Sequence, residues 1–411
     1  MSIAAAVEVK GWCPGVLQPM QSGDGLIARV RPRGGAIGLT EAKALAEAAE
    51  RFGNGHIDLT RRANLQLRGL SEASLKELQD AVSTLGLLDR DARTEAVRNI
   101  MVAPLAGIDP GEALDVRPLA RALEKGLAED VALHDLPSKF GFLVDGGGGI
   151  SIAGERADVA LRAVGKRIAL GLDTRSGTEW IGWAAPETAV KAALAAARAF
   201  LGVRREQRRL RDVDDQDLAR LRSALAPMLH AMEDDMPIAS HRPLGVLSFG
   251  ANRFAVGVAA SFGRFEAHQL WNFATMSEEA GAADIRLSPW RSLYVEARDI
   301  TSARQLVDVA RDTGLIVDAE DPILRIDACP GAPACRSSSV DTRHDARLLA
   351  TLKFKGNVHV SGCTKGCARS APADLVLVGE HGRYKVIRNG TANDTPERTI
   401  AAEEAGALFD V

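Results

Sequence analysis

This sequence is short of cysteine, with five residues among 411. So few, in an odd number, exclude a secreted disulfide framework and fit a cytoplasmic setting where thiols stay reduced and free to bind metal. Aromatic residues make up only 4%, which leaves few platforms for stacked bases. Neither sign of charge dominates: the formal net charge is -3, and no basic field exists to attract nucleic acid. Long hydrophobic runs are missing, which excludes a membrane span, and MSIAAAVEVK at the N-terminus is no secretory signal. No G-x-G-x-x-G opens a helix after a strand, and no Walker A motif occurs. No nucleotide-binding domain is therefore expected in this chain.

What is present is a repeat. HIDLTRRANLQLRG (56–69) and DIRLSPWRSLYVEA (284–297) align without a gap, matching Ile57 with Ile285, Leu59 with Leu287 and Leu65 with Leu293. The same offset pairs Leu78 with Leu306 and Gly86 with Gly314. Both copies alternate as two strands and then run into an amphipathic helix. An alternating strand at 26–33 and a helix lined by Leu45, Ala49 and Phe52 precede the first pair. These features predict an α+β chain of two ferredoxin-like half-repeats, each followed by an α/β domain, about a pseudo-two-fold axis. The first half-repeat with its N-terminal segment takes 1–92 and the first α/β domain 93–203. A charged helical connector with a solvated face takes 204–236, the second half-repeat 237–318 and the second α/β domain 319–411. The cleft between the halves is the natural place for a site. No coiled-coil repeat or symmetric signature suggests a dimer, so a monomer is expected.

Four of the cysteines lie late in the chain, in ACPGAPAC (328–335) and HVSGCTKGCARS (359–370). Cys329 and Cys335 are separated by five residues, and Cys363 and Cys367 by three. At i and i+4 the second pair would share one helical face. Four thiolates hold either zinc or a [4Fe–4S] cluster, and zinc favours tighter pairs in short knuckles. The wide spacing, with Gly362 and Gly366 clearing space, suits the cluster. Cys13, in GWCPGVLQPM, has no partner in sequence and reads as a plain buried thiol.

The two cysteine motifs resemble the cluster signature of the sirohaem-type sulfite and nitrite reductases. RVRPRGG (29–35), LTRRANLQLRG (59–69), RNIMVAP (98–104) and LPSKFGF (136–142) resemble the basic, tetrapyrrole-contacting and anion-binding segments of that family. The resemblance covers most of the chain and implies the same duplicated fold. It implies that Cys329, Cys335, Cys363 and Cys367 hold the cluster. It also implies that Arg31, Arg98 and Lys139 face the cleft, while Arg62 and Asn99 contact the macrocycle or its carboxylates. Such a ring carries many carboxylates, which Arg forks and Lys points neutralise. Arg29, Arg31 and Arg33 alternate, so one strand would present all three to one side.

One departure bears on the substrate. The reductases carry a second lysine two residues after the first, and this chain has Gly141 there. Losing a cation from an oxyanion site weakens sulfite or nitrite binding. CPGVLQPMQSGDGLIARVRPRGG (13–35) and CPGAPACRSSSVDTR are similar instead to the precorrin-3B synthase branch of the superfamily. That resemblance implies O2-dependent mono-oxygenation of precorrin-3A at C20, with a ring-A acetate closing to a γ-lactone, in aerobic cobalamin biosynthesis. Precorrin-3A then occupies the place of sirohaem, so sirohaem is not expected. The alternative is a sirohaem-dependent sulfite or nitrite reductase. A cubane with four thiolates has no free iron site, so a mononuclear non-haem iron is a further expectation, with His56, Asp58 and His134 as its candidate ligands. No residue is assigned as catalytic acid or base.

Overall fold

The computed structural model describes the chain apart from residues 1–11, 233–235, 237–241, 251, 353 and 410–411. The stretch MSIAAAVEVK, the end of the charged segment and the first residues of the second half therefore lie outside the described residues.

Among the described residues the strands form four sheets of five. The first half-repeat folds Met20–Ser22, Gly25–Val30, Leu65–Leu70 and His56–Leu59 into an antiparallel sheet, with Leu39–Phe52 and Glu72–Thr84 as its helices. The second repeats this with Gly245–Ser248, Phe254–Ala259, Ser292–Ala297 and Asp284–Leu287, and with helices Ala267–Glu279 and Ile300–Asp312. Each half lends its fifth strand to the other. Arg264–Glu266 pairs with the first sheet through Phe265 opposite Ile57, and Ala36–Gly38 pairs with the second through Ile37 opposite Ile285. The exchange welds the two units, and Leu45, Ala49, Phe273 and Ala274 share one buried core.

The duplication reaches backbone detail. Ala63 and Arg291, at φ 53° and 62°, occupy the same turn of the two repeats, as do Gly34 and Phe262, at φ 61° and 60°. Positive φ is costly for alanine, arginine and phenylalanine, so the inherited turn geometry outweighs local preference.

Each α/β domain has three parallel strands followed by two antiparallel ones. In the first these are Ile100–Val102, Phe142–Asp145, Val159–Val164, Arg167–Thr174 and Gly177–Ala184. In the second they are Ile326–Ala328, Val358–Ser361, Ala373–Glu380, Arg383–Gly390 and Arg398–Ala401. Loops at the carboxyl ends of such parallel strands are where ligands bind.

The segment read as a solvated connector is different in the structure. Its helix Asp215–Leu225 buries Leu218, Leu221 and Leu225 against the first α/β domain. Most of its charges face outward, with Asp217 buried, while the i, i+3, i+7 leucines belong to the core.

Candidate functional site

The four late cysteines lie on the two loops that leave the carboxyl ends of Ile326–Ala328 and Val358–Ser361. Cys363 and Cys367 do not share a helix face as their spacing predicts. Residues 362–369 form successive turns, and Gly366 at φ 58° breaks any helical run. The loops still converge: Gly362 N–H donates to Cys329 Sγ at 3.2 Å. A Cβ on Gly362 would lie 2.2 Å from Ser338 Oγ and 3.5 Å from Cys329 Sγ, so only glycine fits between the two loops. Burial and the sulfurs of Cys329, Cys363 and Cys335 push the Cys367 thiol up to about 11. Burial and the neighbouring sulfurs also push the Cys363 thiol up, and thiols gathered in this way are stabilised as thiolates by a cationic centre among them. The donor set and the glycine cradle thus fit an iron–sulfur cluster.

The first half-repeat clamps these loops. Ser22 Oγ and Arg68 Nη2 donate to Ala334 O at 3.1 and 3.4 Å. A Cβ on Gly23 would stand 2.8 Å from the same carbonyl, so the loop carrying Cys335 needs this glycine. Arg61 Nε and Arg291 Nη2 donate to Ala368 O at 3.1 and 3.0 Å, one residue beyond Cys367. Sequence reasoning missed Ser22, Gly23, Arg61, Arg68, Arg291 and Asp327. Arg61 and Arg68 lie in the singled-out segment LTRRANLQLRG, but nothing there marked them as contacts of the cysteine loops.

Arg61 and Arg62 diverge at their turn. Arg61 reaches the cysteine domain, whereas Arg62 Nη2 donates to Lys139 O at 2.7 Å in the first α/β domain. Around Arg62 lie Arg29, Lys139, Ser138 and Cys13. Cys13 is not the plain buried thiol read from sequence. Burial alone would push its thiol up, but Arg29, Arg62, a hydrogen bond with Ser138 and Lys139 outweigh that and hold it below the ordinary value. Its loop is pinned by Glu95, which accepts from the Val16 and Leu17 amides at 2.7 and 3.1 Å. Arg29 Nε and Arg62 Nη1 are buried without a hydrogen-bond acceptor among the described residues, whereas Arg31 Nη1 is ion-paired with Glu95 at 3.5 Å. Burial pushes Arg31 and Arg62 down to about 10, so both remain cations. Buried donors without acceptors are costly, and their concentration here calls for an anion.

Other predicted residues take different roles. Arg33 leaves the row of Arg29 and Arg31, because Pro32 ends the strand and a tight turn sends it to Asp89 at 3.3 Å. Arg98 is 3% exposed and locked to Asp89 at 2.8 Å and Glu124 at 3.7 Å, so it is an internal ion pair here. Asn99 spends its amide on Ala96 O, Ser138 O and Phe140 O, and thereby positions the segment carrying Lys139 and Gly141.

The candidate iron ligands do not assemble. Asp58 is held by Arg264 at 2.8 Å, Arg343 at 3.5 Å and Arg68 at 3.9 Å, which keep its carboxyl far below the usual range. His56 stands beside it on the strand, but among the described residues no three His, Cys, Asp or Glu side chains converge on a single-ion site. Period-two spacing put His56 and Asp58 on one side correctly, but the arginines that claim Asp58 come from distant segments.

The counterpart of the cysteine loops is also not the segment around Lys139, which precedes its strand. It is the pair of loops after Ile100–Val102 and Phe142–Asp145, the latter running through 146–149. There, carboxylates cap the loop amides: Asp145 accepts from Gly147 N at 2.8 Å and Ile152 N at 2.6 Å, and Asp109 from Gly111 N at 2.8 Å.

A duplicated ferredoxin-like and α/β frame with a cysteine cradle in one half defines an oxidoreductase of the nitrite and sulfite reductase class. Residues 18–84 match the nitrite/sulfite reductase ferredoxin-like half domain, and 94–265 the nitrite and sulphite reductase 4Fe-4S domain. The latter stretch is cysteine-free, and the cysteines lie in the second α/β domain. The NirA protein of Mycobacterium tuberculosis superposes with a TM-score of 0.75 at 20% identity, over 94% of this chain and 79% of that one. A ferredoxin–nitrite reductase of Synechococcus elongatus is 26% identical over 398 residues, 86% of this chain and 76% of its own. A precorrin-3B synthase of Sinorhizobium sp is 34% identical over 397 residues, 94% of this chain and 84% of its own. The chain belongs to the precorrin-3B synthase family within that class. No described helix is long and apolar enough to cross a membrane.

Proposed function

We propose that this chain converts precorrin-3A to precorrin-3B with O2 and two electrons, placing one oxygen atom at C20, closing the ring-A acetate to a γ-lactone and releasing the other oxygen as water. The observation that carries this reading is the pair of acceptor-free guanidinium donors of Arg29 and Arg62 beside Lys139. They match the carboxylates of a tetrapyrrole. Gly141 supports a bulky ligand over a small oxyanion. A Cβ there would make ordinary contacts, at 3.4 Å to Asn99 O and 3.7 Å to Arg62 Nη1, so glycine keeps this wall free of side chain.

Arg29, Arg62 and Lys139 bind carboxylates and fix the orientation of the ring. Arg31, paired with Glu95, stands behind them, and Asn99 positions the Lys139 segment. Arg98, neutralised by Asp89 and Glu124, supports the fold behind them. A [4Fe–4S] cluster held by Cys329, Cys335, Cys363 and Cys367 supplies single electrons when bound. Arg61, Arg68 and Arg291 hold its loops against the substrate-binding half. A mononuclear iron on Asp58 has no part in this reading, since arginines occupy that carboxylate. The electron donor is a separate NADH-using protein, and the chain acts as a cytoplasmic monomer.

The test is anaerobic purification with iron, sulfide and tetrapyrrole analysis, followed by mass spectrometry after reaction with precorrin-3A, O2 and a reductant. Gain of one oxygen with lactone closure is expected. Bound sirohaem with sulfite or nitrite turnover would overturn the reading.

A further inference from the structure

The two-fold repeat assigns second-half mates to the first-half residues at the turn and loop of the basic cluster. Ala36–Gly38 and Arg264–Glu266 are equivalent, 264 against 36, an offset of 228. At that offset Arg62 and Ala63 correspond to Trp290 and Arg291, and Pro14, beside Cys13, corresponds to Arg242. The mate of the substrate cluster is a cavity of about 290 Å3, walled by Arg61, Arg242, Arg291, Arg369, Asp327 and Trp290 with Glu155.

Its charge is unbalanced. Asp327 accepts from Arg61, Arg291 and Arg369, at 2.6, 3.3 and 3.1 Å. Burial pushes the Glu155 carboxyl up, so it is a weak counter-charge. Arg242 makes no ion pair among the described residues, and its two terminal nitrogens rest on the carbonyls of Trp290 and Leu324 at 3.1 Å each. Four guanidiniums against two carboxyls leave about two positive charges facing a cavity with room for roughly ten waters.

We propose that this cavity is a second anion site, separate from the tetrapyrrole cleft, that takes a small dianionic oxyanion such as phosphate or a short dicarboxylate. Arginine forks suit both chemistries. Two of its arginines, Arg61 and Arg291, also hold Ala368 O beside Cys367, so an occupant bears directly on the cysteine loop. The inference does not depend on what the cleft binds.

The test is calorimetric titration of the cluster-loaded protein with phosphate, and separately with succinate, at constant ionic strength, together with thermal melts. Saturable binding is expected for at least one, and the stronger of the two identifies the chemistry. Arg242→Gln should weaken it by about tenfold or more. Ala260→Leu should do the same from an uncharged wall, with every arginine intact. Lys139→Gln, in the other cluster, should leave it unchanged. No saturable binding to the unaltered protein, or binding lost with Lys139→Gln and kept in both cavity variants, would overturn the proposal.

Discussion

Asp58→Asn separates two readings of one carboxylate. As a metal ligand, Asp58 would matter for iron content and little for the fold. In the structure it joins three units: Arg68 from its own sheet, Arg264 from the exchanged strand of the second half-repeat, and Arg343 from the helix Thr342–Ala350 of the cysteine domain. Asp58 is 7% exposed, so the cluster is internal. Removing the charge leaves Arg264 and Arg343 facing a neutral amide, while Arg68 keeps Asp24 at 2.8 Å. Breaking a buried ion cluster from one side costs about 3–5 kcal/mol. Asparagine keeps one acceptor oxygen for Arg264, so the lower end applies, about 3 kcal/mol, which for a chain of this size is a fall in Tm of roughly 3–4 °C. The pH dependence has a definite sign. A carboxyl whose folded pKa is depressed contributes stability above its unfolded pKa, and that contribution is lost as pH falls toward the folded value. The gap between wild type and variant should therefore be full at neutral pH and close below about pH 4. Thermal melts across pH, with iron analysis on the same samples, provide the measurement. An unchanged Tm with a stoichiometric loss of iron would refute the argument and restore the metal-ligand reading.

Cys363→Ser should abolish the visible absorption and acid-labile sulfide of the anaerobically purified protein while the first α/β domain stays folded by limited proteolysis. Cys13 should be alkylated by iodoacetamide at a pH below that of an ordinary thiol, and Arg62→Gln should shift that profile upward, read by peptide mass spectrometry. Burial pushes the Glu112 carboxyl up to about 7, so the native state loses stability as pH rises from about 4.5 toward that value; Glu112→Gln should raise Tm at pH 8 and be neutral at pH 4.5. Gly141→Lys should fold normally, because a Cβ is tolerated, yet lower turnover of precorrin-3A by about tenfold or more, because its side chain enters space beside Arg62.

The repeat was legible because duplication left apolar residues at matched spacing, and spacing is what a sequence displays. The exchanged strands were not legible. Ala36–Gly38 and Arg264–Glu266 are three residues long, too short for an alternation pattern, and their partners are more than 200 residues away. The cysteines were identifiable by type and number, but their helix was not real, since Gly366 sets the loop geometry. Among the arginines, residue type marked a basic region without saying which one was neutralised. Arg98 has carboxylate partners 9 and 26 residues away, at Asp89 and Glu124, and Arg62 makes no ion pair among the described residues, with Asp158 acting on it only from farther off. That difference decides which arginine is left for a ligand, and it exists only in three dimensions.

The asymmetry of the halves follows from where charge was buried after duplication. In the cysteine domain the first two parallel strands place Asp327 beside His359, both buried, and Asp327 gathers Arg61, Arg291 and Arg369. The equivalent strand pair of the first domain places Met101 beside Leu143, both in an apolar core. The first domain has no buried aspartate there to gather arginines: its strand-end loops close on their own carboxylates, Asp109 and Asp145, and Arg286 and Arg253 of the second half meet that domain at the carbonyls of Ala106 and Ile108. In the cysteine domain the buried carboxylate draws arginines from both ferredoxin-like units, and those arginines then hold Ala368 next to Cys367. One buried aspartate at a position that is methionine in its twin is thus enough to tie the cysteine loop to the half of the molecule that carries the substrate cluster. Asp327→Met, the residue of the twin, would free three arginines at once, and the geometry predicts loss of that docking before any loss of the sheet itself.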